Sequence, residues 1–570
     1  MMRPAETAAP PLRHGPERGT RVGDPLPGPR PARLAMRGRG RAARAILPNG
    51  CQDGASRLLL PGSEDARPRL EARTKETRMD RSITRRDVLR SAAAGGGVLL
   101  LPSARAALAY DANDRLRLAV VGMAGFGAWH GFAELLHTYG NLQYAVGCDV
   151  DLRKVRKVHD LWQKRAAEWS ASGTPDQKKA AAEVYAPLAA SPPPLVADFR
   201  RLFDEKAGSF DAAVVATPDH THAVISSAAL RAGKPVLCEK PLTISAHEAR
   251  ALHRLARERG LPTQMNNHGA SRPGFRRGLE ILREGLLGEV REVHVFFSRG
   301  GQNFQAPPQG AQEIPPELDW NLWLAQLKER PYHPGWINRI AWRESSIGEL
   351  GNFGPHAANL AFLALRVADL WGDGAGGARI RVVSECSEAN PLSYPRWERI
   401  RWEIPARGPL PPVAFTWHHG HPPDYAEGSR KRLEAILRDH GAADGDLARL
   451  LPPAGCLILG SRGLLATPSH NTEVELLPKA RFADIEQKRP LALPVPRTHY
   501  AEWVDACRGG PAPYCRFEHA APFAEFLCVG SLSTRFPGEP IDFDPKAGCI
   551  TNHPRAAEFL QYEYRTGWTL

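Results

Sequence analysis

The chain lacks the cysteine and histidine spacings that mark disulfide-rich and metal-binding proteins. Nine cysteines are spread over 570 residues, and no two of them form a Cys-x-x-Cys pair. We therefore expect small buried hydrophobic cysteines rather than a disulfide framework. His418, His419 and His421 lie close together, but no spaced carboxylate or cysteine set accompanies them. No metal site is predicted.

A strong charge of one sign is also missing after the first hundred residues. Residues 1–109 carry 21 Lys and Arg against 10 Asp and Glu, so they hold +11 of the net charge of +13. Residues 110–570 are close to neutral, and a nucleic-acid surface is therefore not predicted. The apolar run Ser91–Leu101 is too short to span a bilayer as a stable helix. We expect no membrane span in residues 110–570.

The first 109 residues divide into two segments of different character. Residues 1–78 are rich in Arg, Pro, Gly and Ala without an apolar period, so we expect a disordered extension or an upstream misread of the start. Residues 79–109 carry the pair Arg85-Arg86, the apolar run Ser91–Leu101 and the small-residue motif Ala107-Leu108-Ala109. That order is typical of a twin-arginine signal peptide and predicts export of the folded protein to the periplasm or beyond.

The residues after 110 open on a strand, a glycine-rich turn and a second strand. Arg117–Val121 has the composition of a buried parallel strand, the turn follows at Gly122–Gly127, and the apolar run Tyr144–Cys148 ends at Asp149. This is the layout of a dinucleotide-binding βαβ unit, although Ala124 stands where the motif has its second glycine. A carboxylate at the end of the second strand accepts the ribose hydroxyls and repels a 2′-phosphate. NAD is therefore predicted over NADP.

Two further predicted strands end in polar residues. Asp211–Ala216 leads into Thr217–His222, a helix is predicted over Ala223–Ala232, and Lys234–Cys238 leads into Glu239-Lys240-Pro241. Strands that alternate with helices favour a parallel sheet, and ligands bind at the carboxyl ends of its strands.

These segments resemble the Gfo/Idh/MocA oxidoreductases, and the Glu-Lys-Pro tripeptide after a strand is fairly specific to that family. The resemblance covers roughly residues 115–570 and is greatest to the exported, twin-arginine branch. It implies a Rossmann domain over residues 110–244. A second, α+β domain over residues 245–570, with a large and mostly antiparallel sheet, would bind substrate and form a homodimer or homotetramer. The segments that carry the resemblance are Gly122–Gly127, Thr217-Pro218 with His222, Glu239-Lys240-Pro241, Gln264–His268, Leu318–Leu324, Trp342-Arg343, Gly351–His356, Trp417–Gly420, Gly460–Gly463, Tyr500–Gly510 and Glu563–Trp568.

The resemblance implies two catalytic side chains. Lys240 would sit beside the nicotinamide and the substrate hydroxyl, where burial and the cofactor's positive ring lower the pKa of its ammonium group toward neutrality. A purely structural pairing of Lys240 with Glu239 is the alternative. His356 would be the second group, after glycines that we expect to let the backbone approach a ligand. The family often has aspartates four residues before and three residues after this histidine, but the chain has Asn352 and Asn359, which cannot accept a proton.

The expected sites can be stated residue by residue. Cofactor contacts are expected from Gly122, Ala124, Gly125, Phe126, Gly127, Asp149, Thr217, Pro218, His220, His222, Glu239 and Lys240. Substrate contacts are expected from Asn267, His268, Trp342, Arg343, Asn352 and His356. The aromatic segment from Trp320 to Trp342 is interpreted equally well as a sugar-stacking surface or as core.

An exported enzyme meets little free nicotinamide cofactor, so we expect this one to hold NAD tightly. The first hypothesis is an oxidoreductase that acts on a sugar or a related polyol. The second is an NAD-dependent glycoside hydrolase that takes a hydride from the sugar and later returns it. The third is a cofactor-binding protein that has lost turnover, which Asn352 and Asn359 suggest.

Overall fold

The computed structural model describes residues 115–125, 136, 141–298, 305–374, 376–420, 426–488 and 491–570. The expected extension over residues 1–78, the signal peptide over residues 79–109, and the turn residues Phe126 and Gly127 lie outside these ranges.

Six parallel strands form the first sheet, in the order β3-β2-β1-β4-β5-β6. Because the direction of strand addition reverses beside β1, a crevice opens between the carboxyl ends of β1 and β4. The strands are β1 (Leu116–Val121), β2 (Leu142–Cys148), β3 (Leu195–Val196), β4 (Ala212–Val215), β5 (Val236–Cys238) and β6 (Thr263–Met265). The accompanying helices are α1 (Leu152–Ser172), α2 (Pro175–Ala180), α3 (Ala186–Ala190), α4 (Phe199–Glu205), α5 (His222–Arg231) and α6 (Ala246–Arg259).

Every residue of β4 and β5 is buried, as expected for parallel strands that are covered by helices on both faces. The sequence predictions of β1, β2, β4, β5 and α5 agree with these bounds to within two residues at each end.

Nine strands form the second sheet, in the order β13-β12-β11-β7-β10-β9-β8-β14-β15. All neighbouring strands are antiparallel except β7 and β10, which agrees with the expected mostly antiparallel sheet. The strands are β7 (Val290–Phe297), β8 (Ile380–Cys386), β9 (Glu398–Ile404), β10 (Val413–His419), β11 (Ala454–Gly460), β12 (Gly463–Pro468), β13 (Glu475–Leu477), β14 (Ile541–Asp544) and β15 (Cys549–Ile550). The helices are α7 (Pro273–Arg283), α8 (Trp320–Leu324), α9 (Gly348–Ala357), α10 (Asn359–Ala364), α11 (Lys431–Asp439), α12 (Leu447–Leu450), α13 (Lys479–Lys488), α14 (His499–Cys507), α15 (Phe517–Ser533) and α16 (Pro554–Ala557).

The two faces of the second sheet differ. One face packs against α9 and α15 in the main apolar core. On the other face, α11 and α12 cover the β7, β11 and β12 side with leucines, and the β8–β9 side carries exposed ion pairs such as Arg381–Asp542 and Arg399–Glu385. The homo-oligomer expected from this face stays a prediction.

The expected domain boundary at residue 244 is too early for the parallel sheet. The strand β6 pairs with β5 and extends that sheet to Met265. Late in the chain, α14 returns to the first sheet, where Tyr500, Trp503 and Val504 pack in one cluster with β1 and β4. Among the described residues, no helix combines the length and the apolar composition needed to cross a membrane.

Candidate functional site

A cavity of about 740 Å³ lies at the carboxyl edge of the parallel sheet and reaches α9. Most of the residues expected from the sequence line it: Gly122, Ala124, Gly125, Asp149, Thr217, Pro218, His220, His222, Glu239, Lys240, His268, Asn352 and His356.

The glycine-rich turn packs tightly on the end of β4. Gly122 has φ of +79°, a left-handed conformation that favours glycine. A Cβ atom on Gly122 would lie 2.5 Å from the Ala216 carbonyl oxygen, and one on Gly125 would lie 2.0 Å from the same oxygen. These glycines are therefore required by the protein's own backbone.

Asp149 joins the turn to the end of β2. Its Oδ2 accepts a hydrogen bond from the Ala124 N–H at 2.9 Å, and its Oδ1 accepts one from the Asp151 N–H at 3.0 Å. Burial raises the pKa of this carboxyl, against the lowering effect of the two backbone donors. Each carboxylate oxygen keeps a lone pair for a ribose hydroxyl. The described residues of the turn and Asp149 thus fit an adenosine diphosphate moiety.

Lys240 projects from the end of β5 toward α9. Its Nζ donates to the Asn352 carbonyl oxygen at 2.8 Å and to Asn352 Oδ1 at 2.9 Å. Burial and the neighbouring Arg339 lower the pKa of Lys240 to about 8, although Glu239 and other carboxylates act in the opposite direction. Glu239 itself accepts hydrogen bonds from Asn266 Nδ2 and from the Lys240 backbone N–H. The alternative of a structural Lys240–Glu239 pair has no direct side-chain contact to support it within the described residues.

Asn352 stands between two cations and one carboxylate. Its Oδ1 accepts from Lys240 and from Arg339, and its Nδ2 donates to Glu349 Oε2 at 2.8 Å. Arg339 also pairs with the buried Asp219 at 3.1 Å, and Asp219 and the other nearby carboxylates raise the pKa of Arg339. Burial raises the pKa of Glu349. The amide group is thus held in one orientation.

His222 holds the loop that carries Lys240. Its Nδ1 lies 2.6 Å from the Pro241 carbonyl oxygen and its Nε2 lies 2.9 Å from the Thr217 carbonyl oxygen. Because a carbonyl oxygen only accepts, both ring nitrogens donate and the ring is an imidazolium. Burial alone would lower the pKa of His222, but Cys238, Asp219 and the Pro241 carbonyl raise it to about 10. His222 therefore positions the loop rather than exchanging a proton.

His356 faces the cavity from α9. Its Nδ1 lies 2.9 Å from Asn267 Oδ1, and Asn267 Nδ2 donates to the Pro355 carbonyl oxygen. Burial, together with Lys240, lowers the pKa of His356 well below its ordinary value. His356 is therefore neutral, and Asn267 is the residue that orients it.

The aromatic segment supplies both core and cavity wall. Trp320 and Trp323 stack with their ring centroids 4.7 Å apart, and Trp323 packs on His220. His220 Nε2 also lies 2.9 Å from the Trp323 carbonyl oxygen. Trp323 and Trp336 line the cavity, so the segment forms part of the cavity wall beside the expected nucleotide site.

The expected substrate contacts of Trp342 and Arg343 are wrong. Both side chains are buried away from the cavity. The Trp342 indole donates to the Gly335 carbonyl oxygen. The Arg343 guanidinium donates to carbonyl oxygens of Asn390 and Ser393, at 2.8 and 2.9 Å. Their role is to hold the loop before α9.

The expected close approach of Gly348, Gly351 and Gly354 to a ligand is also wrong. The three glycines lie in α9, and a Cβ atom on them would meet side chains of Tyr394, of Ile347, and of Leu350 with Leu527, respectively. They permit helix packing.

The cavity residues that were not predicted from the sequence include Arg339, His470 and Tyr500. Each comes from a segment whose sequence carries no strand-end or glycine motif. Only the return of the chain to the first sheet brings Tyr500 to the cavity.

The family that the chain matches is defined over the residues of the first sheet. Residues 116–267 match the sequence model of an oxidoreductase family described as an NAD-binding Rossmann fold. A dTDP-3,4-didehydro-2,6-dideoxy-alpha-D-glucose 3-reductase of Streptomyces violaceoruber is 30% identical over 169 residues, which are 30% of this chain and 45% of the relative. Inositol 2-dehydrogenase 1 of Saccharopolyspora erythraea is 51% identical over 88 residues, which are 15% of this chain and 25% of the relative. In these two matches the chain spans only a quarter to just under half of the relative's length.

Solved structures align over more of the chain. The WlbA dehydrogenase of Bordetella pertussis, in complex with NADH and UDP-GlcNAcA, has 13% identity and a TM-score of 0.44, and the alignment covers 75% of this chain and 98% of that one. An inositol dehydrogenase homologue of Azotobacter vinelandii, complexed with NADH and myo-inositol, has 17% identity and a TM-score of 0.41, over 75% of this chain and 98% of that one.

Proposed function

Because residues 116–267 belong to the Gfo/Idh/MocA oxidoreductases, with an NAD-binding Rossmann fold, we propose that the protein oxidises or reduces one carbon of a sugar or a related polyol. The observation that carries the proposal is the environment of Lys240. Its amine is held at the cavity by the neutral acceptors of Asn352, and its pKa is lowered to about 8. A general base works best when its pKa lies near the operating pH.

NAD held by the glycine-rich turn and Asp149 would supply the hydride acceptor, or as NADH the hydride donor. In the oxidative direction, the neutral amine of Lys240 takes the proton of the substrate hydroxyl as the hydride leaves that carbon. In the reductive direction, the ammonium returns a proton to the carbonyl oxygen. His356 accepts a hydrogen bond from the substrate through Nε2, because Asn267 holds its Nδ1 as a donor.

We assign NAD rather than NADP to the site. Asp149 directly follows β2, and its carboxylate lies beside the turn, where it would repel a 2′-phosphate. Leu322 and Trp323 of α8 line the same cavity, which supports a tightly held cofactor. This retention suits the export that we propose from the twin-arginine pattern at Arg85-Arg86.

The test uses the full chain, purified without added nucleotide. Denaturation followed by chromatography identifies any bound dinucleotide, and the absorbance of reduced nicotinamide follows the addition of sugars, polyols and aryl glycosides. A lasting absorbance change with a free sugar or polyol supports the proposal. A released aglycone without a net change would identify the glycosidase instead. Bound dinucleotide without turnover on any compound would identify the binding protein, and a chain that binds no dinucleotide would overturn all three.

Lys240→Ala tests the assigned base. We expect it to retain the dinucleotide and to lose turnover. The matched control is Lys157→Ala on the exposed side of α1, which should behave as the wild type. Unchanged turnover in Lys240→Ala would refute the role of the amine.

A further inference from the structure

Three histidines from distant parts of the chain meet at the cavity wall. His268 lies in the turn after β6, His356 lies in α9, and His470 lies in the loop after β12. The ring nitrogens through which they can bind a ligand lie within 4.8 Å of one another. The ring centroids of His356 and His470 are 4.2 Å apart, and those of His268 and His470 are 4.9 Å apart. All three line the cavity beside Lys240.

Hydrogen bonds leave lone pairs available on these rings. Asn267 Oδ1 accepts the Nδ1 proton of His356, so Nε2 of His356 carries a lone pair. His470 Nδ1 lies 2.8 Å from Ser469 Oγ, which leaves Nε2 of that ring uncommitted. His268 makes no side-chain hydrogen bond within the described part of the chain. Partners that fix the outer nitrogen of a histidine are typical of ligands to a metal.

The backbone holds the three elements together before any ligand binds. A Cβ atom on Gly269 would lie 1.9 Å from the His470 carbonyl oxygen, so the turn of His268 is pressed directly onto the loop of His470. Asn471 is fully buried with φ of +52°. Its Nδ2 donates to the Ala357 carbonyl oxygen at 3.2 Å, which ties the same loop to the end of α9.

We propose that His268, His356 and His470 form a site for one divalent cation of the Zn²⁺ class, with an open coordination position facing the cavity. Three neutral imidazoles suit Zn²⁺ and Co²⁺ and suit Mg²⁺ or Ca²⁺ poorly. Ligand nitrogens around tetrahedral Zn²⁺ lie about 3.4 Å apart, given Zn–N bonds of about 2.1 Å. Separations of up to 4.8 Å must therefore shorten when the cation binds.

The positive charge of Lys240 opposes a second cation here. Its Nζ is engaged with Asn352, and Glu239, Asp219 and Glu349 interact favourably with it. A cation at the three histidines would favour the neutral amine of Lys240.

The role of the cation rests on the proposed function. The open position would take a lone pair from a substrate oxygen and so orient the reacting carbon; the cation keeps its oxidation state throughout. His356 would then bind the cation instead of the substrate hydroxyl, and Lys240 alone would carry the proton.

The test measures metal binding without substrate, on the full chain expressed without a histidine tag. After chelation and buffer exchange, equilibrium dialysis against ZnCl₂ and elemental analysis give the stoichiometry. CoCl₂ gives a visible spectrum that reports nitrogen ligation. We expect about one equivalent per chain and a loss of affinity of at least about 100-fold in His470→Ala. The matched control is His247→Ala, which removes an exposed histidine on α6 and should bind as the wild type.

Equal Zn²⁺ binding in wild type and His470→Ala, or no binding at micromolar Zn²⁺, would overturn the site. Circular dichroism of His470→Ala checks folding, and His470→Gln, which keeps most of the side-chain volume, should show the same loss. The result does not depend on turnover, so a chain that binds Zn²⁺ at these histidines without oxidising any sugar would contradict the proposed function only. Turnover that is unchanged by chelation would refute the role of the cation and leave the site itself standing.

Discussion

Replacing Asn352 with aspartate gives the sharpest test of Lys240 as a general base. Asn352 Oδ1 lies 2.9 Å from Lys240 Nζ, so Asn352→Asp adds a carboxylate to a lysine that now has only neutral acceptors there. The added charge favours the ammonium form. The substitution would therefore lower activity at neutral pH, although it reproduces the residue that is common in the family.

The size of the effect follows from the distance. Opposite charges about 3 Å apart attract by roughly 5 kcal/mol at an effective dielectric constant near 20. Arg339 shares the new carboxylate and Glu349 repels it, so we expect the pKa of Lys240 to rise by about 1 to 3. From a wild-type pKa of about 8, roughly a tenth of the amine is neutral at pH 7. In the variant, the neutral fraction of the Lys240 amine at pH 7 would be about 10- to 1,000-fold smaller.

Single-turnover reduction of the bound cofactor, followed across pH, measures the effect. The rate of the wild type should rise with pH through a midpoint near 8, and that of Asn352→Asp through a midpoint about 1 to 3 higher. At high pH the two rates should converge. Asn352→Leu, which removes the acceptor without adding charge, should not move the midpoint upward. A midpoint that stays in place in a folded, cofactor-loaded Asn352→Asp would show that Lys240 is not the titrating base.

Further predictions concern the cofactor site and the loop of Lys240. Gly125→Ala, which would press a methyl group onto the Ala216 carbonyl oxygen, should abolish NAD binding in calorimetry, whereas Gly208→Ala, which meets open space, should not. Lys240→Ala should slow hydride transfer by about 10²- to 10⁴-fold with unchanged NAD affinity; an equal loss of affinity would point to a binding role. Asp149→Ser should raise kcat/KM with NADP relative to NAD, and an unchanged ratio would contradict the assigned selectivity. His222→Gln should lower Tm most below pH 6.5, with the difference lost by about pH 10, because the folded state raises the pKa of His222; a difference that does not vary with pH would show that the charge is not involved.

Long apolar strands were predictable from the sequence because burial on both faces leaves a continuous apolar run. The strands β1 and β4 agree with their predictions to within one residue at each end. The strand β6 was not predicted, since its three residues Thr263–Met265 include two polar ones. The family match over residues 116–267 confirms, for that part of the chain, the resemblance to an oxidoreductase family with an NAD-binding Rossmann fold.

The helix α9 shows why local preference fails at the site. It contains three glycines and Pro355, which disfavour a helix, yet it is held by packing against the sheet and α15. The site residues at strand ends were predictable, because the carboxyl ends of parallel strands meet at one edge. His470 was not, since it reaches the cavity from a loop more than a hundred residues after His356.

The sequence suggested that Asn352 and Asn359 deprive His356 of carboxylate partners, but the contacts of both asparagines lie elsewhere. Asn359 is buried against Cys515 and His519. Asn352 presents its oxygen to Lys240 and Arg339 and its NH₂ group to Glu349. A carboxylate at that position could accept from the two cations but could not donate to Glu349, whereas an amide does both. The hypothesis of a protein that has lost turnover therefore loses the observation on which it rested, and Asn352 is better explained as a neutral acceptor that leaves the pKa of Lys240 to be lowered by burial and Arg339.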